Sequence, residues 1–219
     1  MASRTKLTDT ATLGLYSTAL ENVGTQPQIA AVMAELGFDS AAIARGQTLL
    51  DETKAIYYAN MTEKHQTSVA YAGYSDKKRQ LGDIFKIHRE KAKIVFRKDL
   101  LVANRLAISG SMPRTYIKWI EVVKKFYSVA STDIEIQNKL SRLKISVDDL
   151  NTTRSLITDL ETAKIKYIRE KGESQNATQV KNAAFYKIDD WMSEFYAVAK
   201  IGLKDNPQLL ETLGKTVKR

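Results

Sequence analysis

Apolar side chains recur at helical spacing along most of this chain. Between Tyr116 and Ala130 they return every three or four residues, which places them on one face of an α-helix. Further on, Ala177, Ala184 and Trp191 stand seven residues apart, the spacing of a helix-packing seam. No stretch of convincing length alternates apolar and polar residues as a half-buried strand does. Only 3 prolines and 10 glycines interrupt the 219 residues, so the sequence predicts an all-α protein with long helices.

A weak internal repeat emerges when the chain is shifted against itself by 107 residues. Ile94 then falls on Ile201, and Leu49-Leu50 falls on Leu156-Ile157. Identities are few, but the apolar positions coincide without a gap along the whole half. Unrelated amphipathic helices also share apolar spacing, so that alternative stays open. The prediction is two tandem up-and-down helical bundles related by duplication, namely residues 1–108 and 115–219 with a linker at 109–114.

Each half is expected to contain four main helices and a short fifth. In the second half, Asp133 and Ser146 are predicted N-caps of their helices. The stretch Lys171 to Asn176 is predicted to break the following helix, and Pro207 to start the last short one. The first half is expected to repeat this order, with helices near residues 8–22, 27–36, 40–72, 76–98 and 99–107.

Several packing and turn residues of the second half form a recognisable combination. They are Trp119 with Phe126-Tyr127, Lys171-Gly172 with Gln175, Ala177 and Thr178, Trp191 with Phe195, and the ending Pro207 to Glu211, Leu213-Gly214, Val217 and Arg219. Together these residues resemble a family of uncharacterised bacterial all-helical proteins, mainly over residues 113–219. The resemblance implies a bacterial origin and a helical fold. It implies no activity, ligand or catalytic residue.

The chain is poor in the side chains that most enzymes use. It has no cysteine, which excludes disulfides, thiolate metal sites and cysteine nucleophiles. The residues three positions before His65 and His88 are Thr62 and Phe85, so the Glu-x-x-His pairs of helical di-iron proteins are absent. His88 is expected to be a hydrogen-bonded structural side chain, and His65 to lie exposed at a helix end. Phosphate-binding loops and nucleophile elbows are also missing, so we expect no enzyme activity, no cofactor and no metal.

The strongest polar pattern is basic. Five cations share one face of the helix after Asp76 and form a candidate polyanion stripe: Arg79, Lys86, Arg89, Lys93 and Arg97. Such a stripe can follow phosphates, but a solvated helix face explains it as well, and the second half does not repeat it. The net charge of +9 is spread evenly, with 15 basic and 11 acidic residues in 1–108 and 19 and 14 in 109–219. Nucleic-acid binding is therefore possible but not favoured.

Two apolar features call for cover from beyond their own bundle, which the other half of the chain or another subunit would supply. Ile87 and Ile94 flank the main apolar stripe of their helix, so this helix has more apolar surface than one core requires. The last short helix either docks on a neighbouring copy or folds back on its own bundle. Its candidate self-association residues are Leu209, Leu210, Leu213 and Val217.

The expected function is a non-enzymatic structural or protein-interaction module that associates with itself or with a protein partner. One alternative is a weak, sequence-independent binder of nucleic acid or another polyanion. Another is a small-ligand carrier or enzyme that uses the bundle core, where tyrosines such as Tyr57, Tyr71 and Tyr74 would line a cavity. The N-terminus lacks the apolar run of a secretory signal, and no stretch approaches a membrane span of about 20 apolar residues, which favours the cytoplasm.

Overall fold

A computed structural model describes residues 7–215 of the chain, and every regular element in this part is a helix. The all-α prediction is therefore confirmed. In the same part of the chain, none of the helices combines the length and the apolar character needed to cross a membrane. The helices are α1 (Asp9–Thr25), α2 (Pro27–Glu35), α3 (Ser40–Val95), α4 (Leu100–Arg105), α5 (Tyr116–Thr132), α6 (Ile134–Ser141), α7 (Val147–Gly202) and α8 (Leu209–Thr212).

The two long helices, α3 and α7, contain 56 residues each and are continuous. The predicted break at Lys171 to Asn176 is therefore wrong, and so is the division of the first half between residues 72 and 76. Glycine, serine and asparagine are weak helix formers, but packing compensates for them here. Asn60, buried on α3, donates to the Thr178 hydroxyl at 3.0 Å, and Thr178 in turn donates to the carbonyl of Ser174 at 2.9 Å.

The N-caps of the second half lie where the sequence places them. Asp133 accepts a hydrogen bond from the backbone N–H of Ile136 at 3.1 Å and caps α6. The Ser146 hydroxyl accepts from the backbone N–H of Asp149 at 3.0 Å and caps α7. Both predictions are confirmed, because a cap depends on a few neighbouring residues rather than on tertiary contacts.

The described residues form two compact units. Unit 1 contains residues 7–64 together with 172–215, and unit 2 contains residues 65–171. These units differ from the predicted halves, 1–108 and 115–219, because each half contributes to both units. Helices α3 and α7 each supply residues to unit 1 and to unit 2.

Unit 1 packs α1, α2, α8, the first part of α3 and the last part of α7 around one apolar core. Its centre is aromatic: the Trp191 ring stacks on Phe195 with centroids 5.6 Å apart, and Phe38 meets both rings edge-on at 5.5 Å. Fully buried aliphatic side chains complete this core, among them Ile29, Met33, Leu50, Ile188, Met192 and Leu213.

Unit 2 packs α4, α5, α6, the last part of α3 and the first part of α7 around a second core. Phe85 meets Phe126 edge-on at 5.4 Å, and Tyr127 lies against both rings. The surrounding buried residues include Leu81, Phe96, Leu106, Ile136, Leu140 and Leu160.

Candidate functional site

The candidate polyanion stripe divides into two kinds of residue. Arg79, Lys86 and Lys93 are exposed on α3, and Arg97 is exposed in the turn just after it. Arg89 is half-buried and donates to the backbone carbonyl of Ile108 at 3.0 Å and to that of Gly110 at 2.6 Å. Burial lowers the pKa of its guanidinium. Arg89 therefore anchors the segment after α4 and is not available to a polyanion.

Acidic residues also run along the stripe. Asp76, Asp83 and Glu90 are exposed and stand three or four positions from its cations, the spacing at which helical side chains meet. Arg79 pairs with Asp76 at 2.7 Å. This part of α3 is therefore a face of mixed charge, which favours the solvated-face interpretation of the stripe.

The charge of the chain is distributed unequally between the two units. Unit 2 contains 22 basic and 12 acidic residues, a net charge of +10. Unit 1, which comprises residues 1–64 and 172–219, contains 12 basic and 13 acidic residues, a net charge of −1. Charges counted over the sequence halves did not show this difference, because each half supplies residues to both units. The net charge of +9 thus comes from unit 2, whereas unit 1 is nearly neutral.

The candidate self-association residues fold back on unit 1. Leu213 is fully buried in its core, and Leu209 and Leu210 are half-buried against the same core. The Tyr196 hydroxyl donates to the carbonyl of Leu213 at 3.1 Å. Burial of Tyr196 raises its pKa to about 12. In these contacts the last short helix folds back on its own bundle, which is the second of the two alternatives given for it. Val217 lies outside the described residues.

The buried histidine of unit 2 forms a polar pair. The Nδ1 atom of His88 lies 2.9 Å from the hydroxyl of Tyr127, and both side chains are buried. Burial lowers the pKa of His88 and raises the pKa of Tyr127. The charge of Asp149 acts against burial and raises the pKa of His88. The Asp149 carboxylate accepts hydrogen bonds from both the N–H and the hydroxyl of Ser146. His88 is therefore a buried, hydrogen-bonded side chain of the core, as the sequence predicts. His65 is exposed, but inside α3 rather than at a helix end.

The tyrosines considered as cavity-lining residues pack on other aromatic rings. Tyr57 lies in unit 1 against Tyr58 and Phe185, and Tyr71 and Tyr74 lie in unit 2. The rings of Tyr74 and Tyr167 are nearly parallel with centroids 5.9 Å apart, and Tyr71 contacts both. The ammonium of Lys164 sits 3.7 Å from the centre of the Tyr116 ring, a cation–π contact. Burial raises the pKa of Tyr116 to about 12.

Unit 1 carries an apolar groove that the sequence did not reveal. It lies between the end of α1, α2 and the start of α3, and its volume is about 620 Å³, within the range of ligand-sized sites. Its polar lining residues are Asp39, Ser40 and Gln47. Small side chains open the groove, namely Gly24, Ala30, Ala31, Ala34 and Ala44. The alanines at positions 30, 31, 34 and 44 were the available signal, but alanine is so common in helices that it does not single out a groove.

Unit 2 exposes apolar residues on and after the end of α3. Ile87 is 52% exposed and Ile94 is 64% exposed, seven residues apart on the same helix face. Leu100 and Leu101 follow at 73% and 74%. The sequence indicated that Ile87 and Ile94 need cover beyond one core, and the described residues leave them exposed.

No protein family, no curated protein and no solved structure matches the chain. The resemblance of residues 113–219 to bacterial helical proteins therefore stays a prediction.

Proposed function

We propose that this protein is a non-enzymatic structural module that associates with copies of itself. The observation that carries the proposal is a pair of apolar surfaces without cover, namely the exposed Ile87 and Ile94 of unit 2 and the open groove of unit 1. Two copies of unit 2, at +10 each, repel one another at long range, whereas unit 2 of one copy meets no such repulsion from the nearly neutral unit 1 of another. Exposed isoleucines and an open apolar groove supply surface that such contacts would bury.

Sedimentation velocity tests this function. We expect the weight-average mass to rise with protein concentration over about a hundredfold range, because association follows mass action. The increase should be larger at about 50 mM than at about 500 mM salt, because salt screens the attraction between exposed charges. A monomer throughout both series would contradict the proposal.

A second candidate function is polyanion binding by unit 2, favoured by its net charge of +10. Retention on DNA that falls steeply with salt would support it. The discriminating variant is Lys86→Glu with Lys93→Glu, which reverses two exposed cations of the stripe. Arg89 must be left intact, because its substitution would release the segment that it anchors.

We also propose that the two halves of the chain arose by duplication. Helices α1 and α5 have 17 residues each and start 107 positions apart, and α3 and α7 have 56 each with the same offset. The left-handed residues Gly37 and Lys144 are one such pair, and Ala107 and Gly214 are another. Buried pairs at this offset include Leu13 with Ile120, Ile29 with Ile136, Met33 with Leu140, Leu50 with Ile157, Phe85 with Met192, Phe96 with Leu203 and Leu106 with Leu213.

Compensating differences between the cores support the same proposal. His88 and Tyr127 form a polar pair in unit 2, and the positions 107 residues away hold the apolar Phe195 and Leu20 in unit 1. A bundle that changed only one member of the pair would bury a polar group without a partner. Under this proposal, each unit is built from the first part of one repeat and the last part of the other.

A further inference from the structure

The groove of unit 1 has no open counterpart at the matching positions of unit 2. At the offset of 107 residues, Ala30 corresponds to Gln137, Ala31 to Asn138 and Ala44 to Asn151. Gly24, Ala34 and Gln47 likewise correspond to Ser131, Ser141 and Arg154. One copy of the same helical framework thus has small side chains where the other has larger polar ones. The groove is not a by-product of how these helices cross.

The pair of exposed isoleucines is a feature that unit 2 has and unit 1 lacks. Ile87 in unit 2 corresponds to Glu194 in unit 1, whereas Ile94 corresponds to Ile201. Only unit 2 therefore has two exposed isoleucines at this seven-residue spacing on α3 or α7, and we call Ile87 and Ile94 the isoleucine ridge. Each unit carries a feature that the matching positions of the other unit lack.

Charges at the groove and at the ridge are complementary. Exposed acids accompany the groove: Asp39 lines it, Glu35 follows the lining residue Ala34, and Asp51 accepts a hydrogen bond from the lining residue Gln47. Arg45 is the cation beside them.

Exposed cations accompany the ridge, because Lys86 and Lys93 directly precede its two isoleucines and Lys98 follows one turn later. Glu90 is the acid between them. The exposed cations beside the ridge thus complement the exposed acids beside the groove.

We propose that the isoleucine ridge of one copy docks into the unit 1 groove of a second copy. The proposal rests on self-association as the proposed function and names the two surfaces that meet. Small residues let a second helix approach closely, and the ridge then buries Ile87 and Ile94 against Val23, Phe38 and Ile43. The contact is head-to-tail, since each copy keeps one free groove and one free ridge.

Two variants of the full chain remove one surface each. The groove variant carries Ala30→Gln, Ala31→Asn and Ala44→Asn, and the ridge variant carries Ile87→Glu with Ile94→Gln. Most of these replacements already occupy the matching positions of the other unit, so the framework accommodates them. The matched control is Ile165→Gln, which removes an isoleucine that is 70% exposed elsewhere on unit 2.

Sedimentation velocity of each variant alone gives the first readout. We expect either variant to raise the apparent Kd of self-association at least about tenfold, as loss of a central apolar contact does, and the control to associate like the unchanged protein. An equimolar mixture gives the second readout. The groove variant still offers a ridge and the ridge variant still offers a groove, so the mixture should form a 1:1 dimer that grows no further.

The outcomes separate the two proposals. If the unchanged protein stays monomeric, both self-association and the docking geometry are wrong. If it associates and both variants associate equally well, self-association stands and the docking geometry is wrong.

Charge reversal gives an independent check at exposed positions. Glu35→Lys and Lys93→Glu should each weaken association, and mixing the two variants should restore it. Absence of that rescue, with folded variants, would overturn the docking geometry.

Discussion

Gly46 on α3 lies directly against the indole of Trp191 on α7. A Cβ atom at position 46 would lie 2.3 Å from the Cη2 atom of that ring, which is closer than atoms pack. Trp191 cannot retreat freely, because it stacks on Phe195 and meets Phe38 edge-on. A glycine in the second turn of this long helix is therefore required by close packing.

The first prediction is that Gly46→Ala destabilises the protein. Overpacking a core costs about 1–3 kcal/mol, whereas alanine in an open helix position gains about 0.5–1 kcal/mol over glycine. Thermal denaturation followed by circular dichroism measures the difference. The control is Gly172→Ala on α7, where a Cβ meets nothing within 4 Å and stability should rise. Equal effects of the two substitutions would contradict the packing argument.

The second prediction concerns pH. Burial lowers the pKa of His88 below its value in the unfolded chain, so between these two values only the unfolded state binds the proton. Stability is therefore present above the unfolded pKa, about 6.5, and is lost as the pH falls from there through the folded pKa. Asp149 acts on His88 in the opposite direction and Lys91 in the same direction as burial, both more weakly.

Denaturant unfolding at several pH values tests this dependence. The double variant His88→Phe with Tyr127→Leu installs the apolar pair that unit 1 has at the matching positions, and it should flatten the loss of stability below pH about 6.5. His65→Gln, at the exposed histidine, is the control and should leave the profile as it is. An unchanged profile in the double variant would show that carboxylates alone cause the acid sensitivity.

The third prediction separates Arg89 from its neighbours. Arg89→Lys loses the planar donor pair that reaches two carbonyls, and Arg and Lys are not equivalent at such sites. Limited proteolysis should then cut faster in the segment 109–114. Lys86→Gln and Lys93→Gln, on the same helix but exposed, should leave the cleavage rate unchanged. Faster cleavage in all three variants would refute an anchoring role specific to Arg89.

The fourth prediction follows from the composition of the units. A protease site inserted between Ser111 and Pro113 divides the chain into its two halves, yet each unit contains helices from both. The cleaved halves should stay together in size-exclusion chromatography and separate only in denaturant. Cysteines at positions 60 and 178, whose native side chains share a hydrogen bond, should link the halves covalently in this cysteine-free chain. Halves that separate under native conditions would mean that each folds alone.

The fifth prediction concerns the C-terminal helix. Leu213→Ala leaves a cavity in the core of unit 1 and should cost about 2–5 kcal/mol of unfolding free energy. Leu101→Ala, at a residue that is 74% exposed, is the control and should cost little. Urea denaturation measures both. A small effect at Leu213 would show that the α8 segment contributes little to the unit.

Local features of the fold could be predicted from the sequence, and long-range features could not. The helical class and the caps at Asp133 and Ser146 depend on residues within a turn or two. The continuity of α7 through Gly172 depends on contacts with α3, such as Asn60 with Thr178, more than a hundred positions away. The unequal charge of the units was hidden for the same reason, since it depends on which segments share a unit. The groove was hidden because its small lining residues are common in helices. His88 was predictable, because its apolar neighbours on the helix indicated burial.

The order of the chain within the units has a consequence for synthesis. Unit 2 is one unbroken segment, residues 65–171, whereas unit 1 joins residues 7–64 to residues 172–215. The hydrogen bond from Asn22 to the carbonyl of Thr212 closes a loop of 190 positions. Loop closure of this kind slows folding, even in a protein made only of helices. On the ribosome, unit 2 has all its residues first, and the N-terminal helices must wait for the C-terminal ones before unit 1 can close.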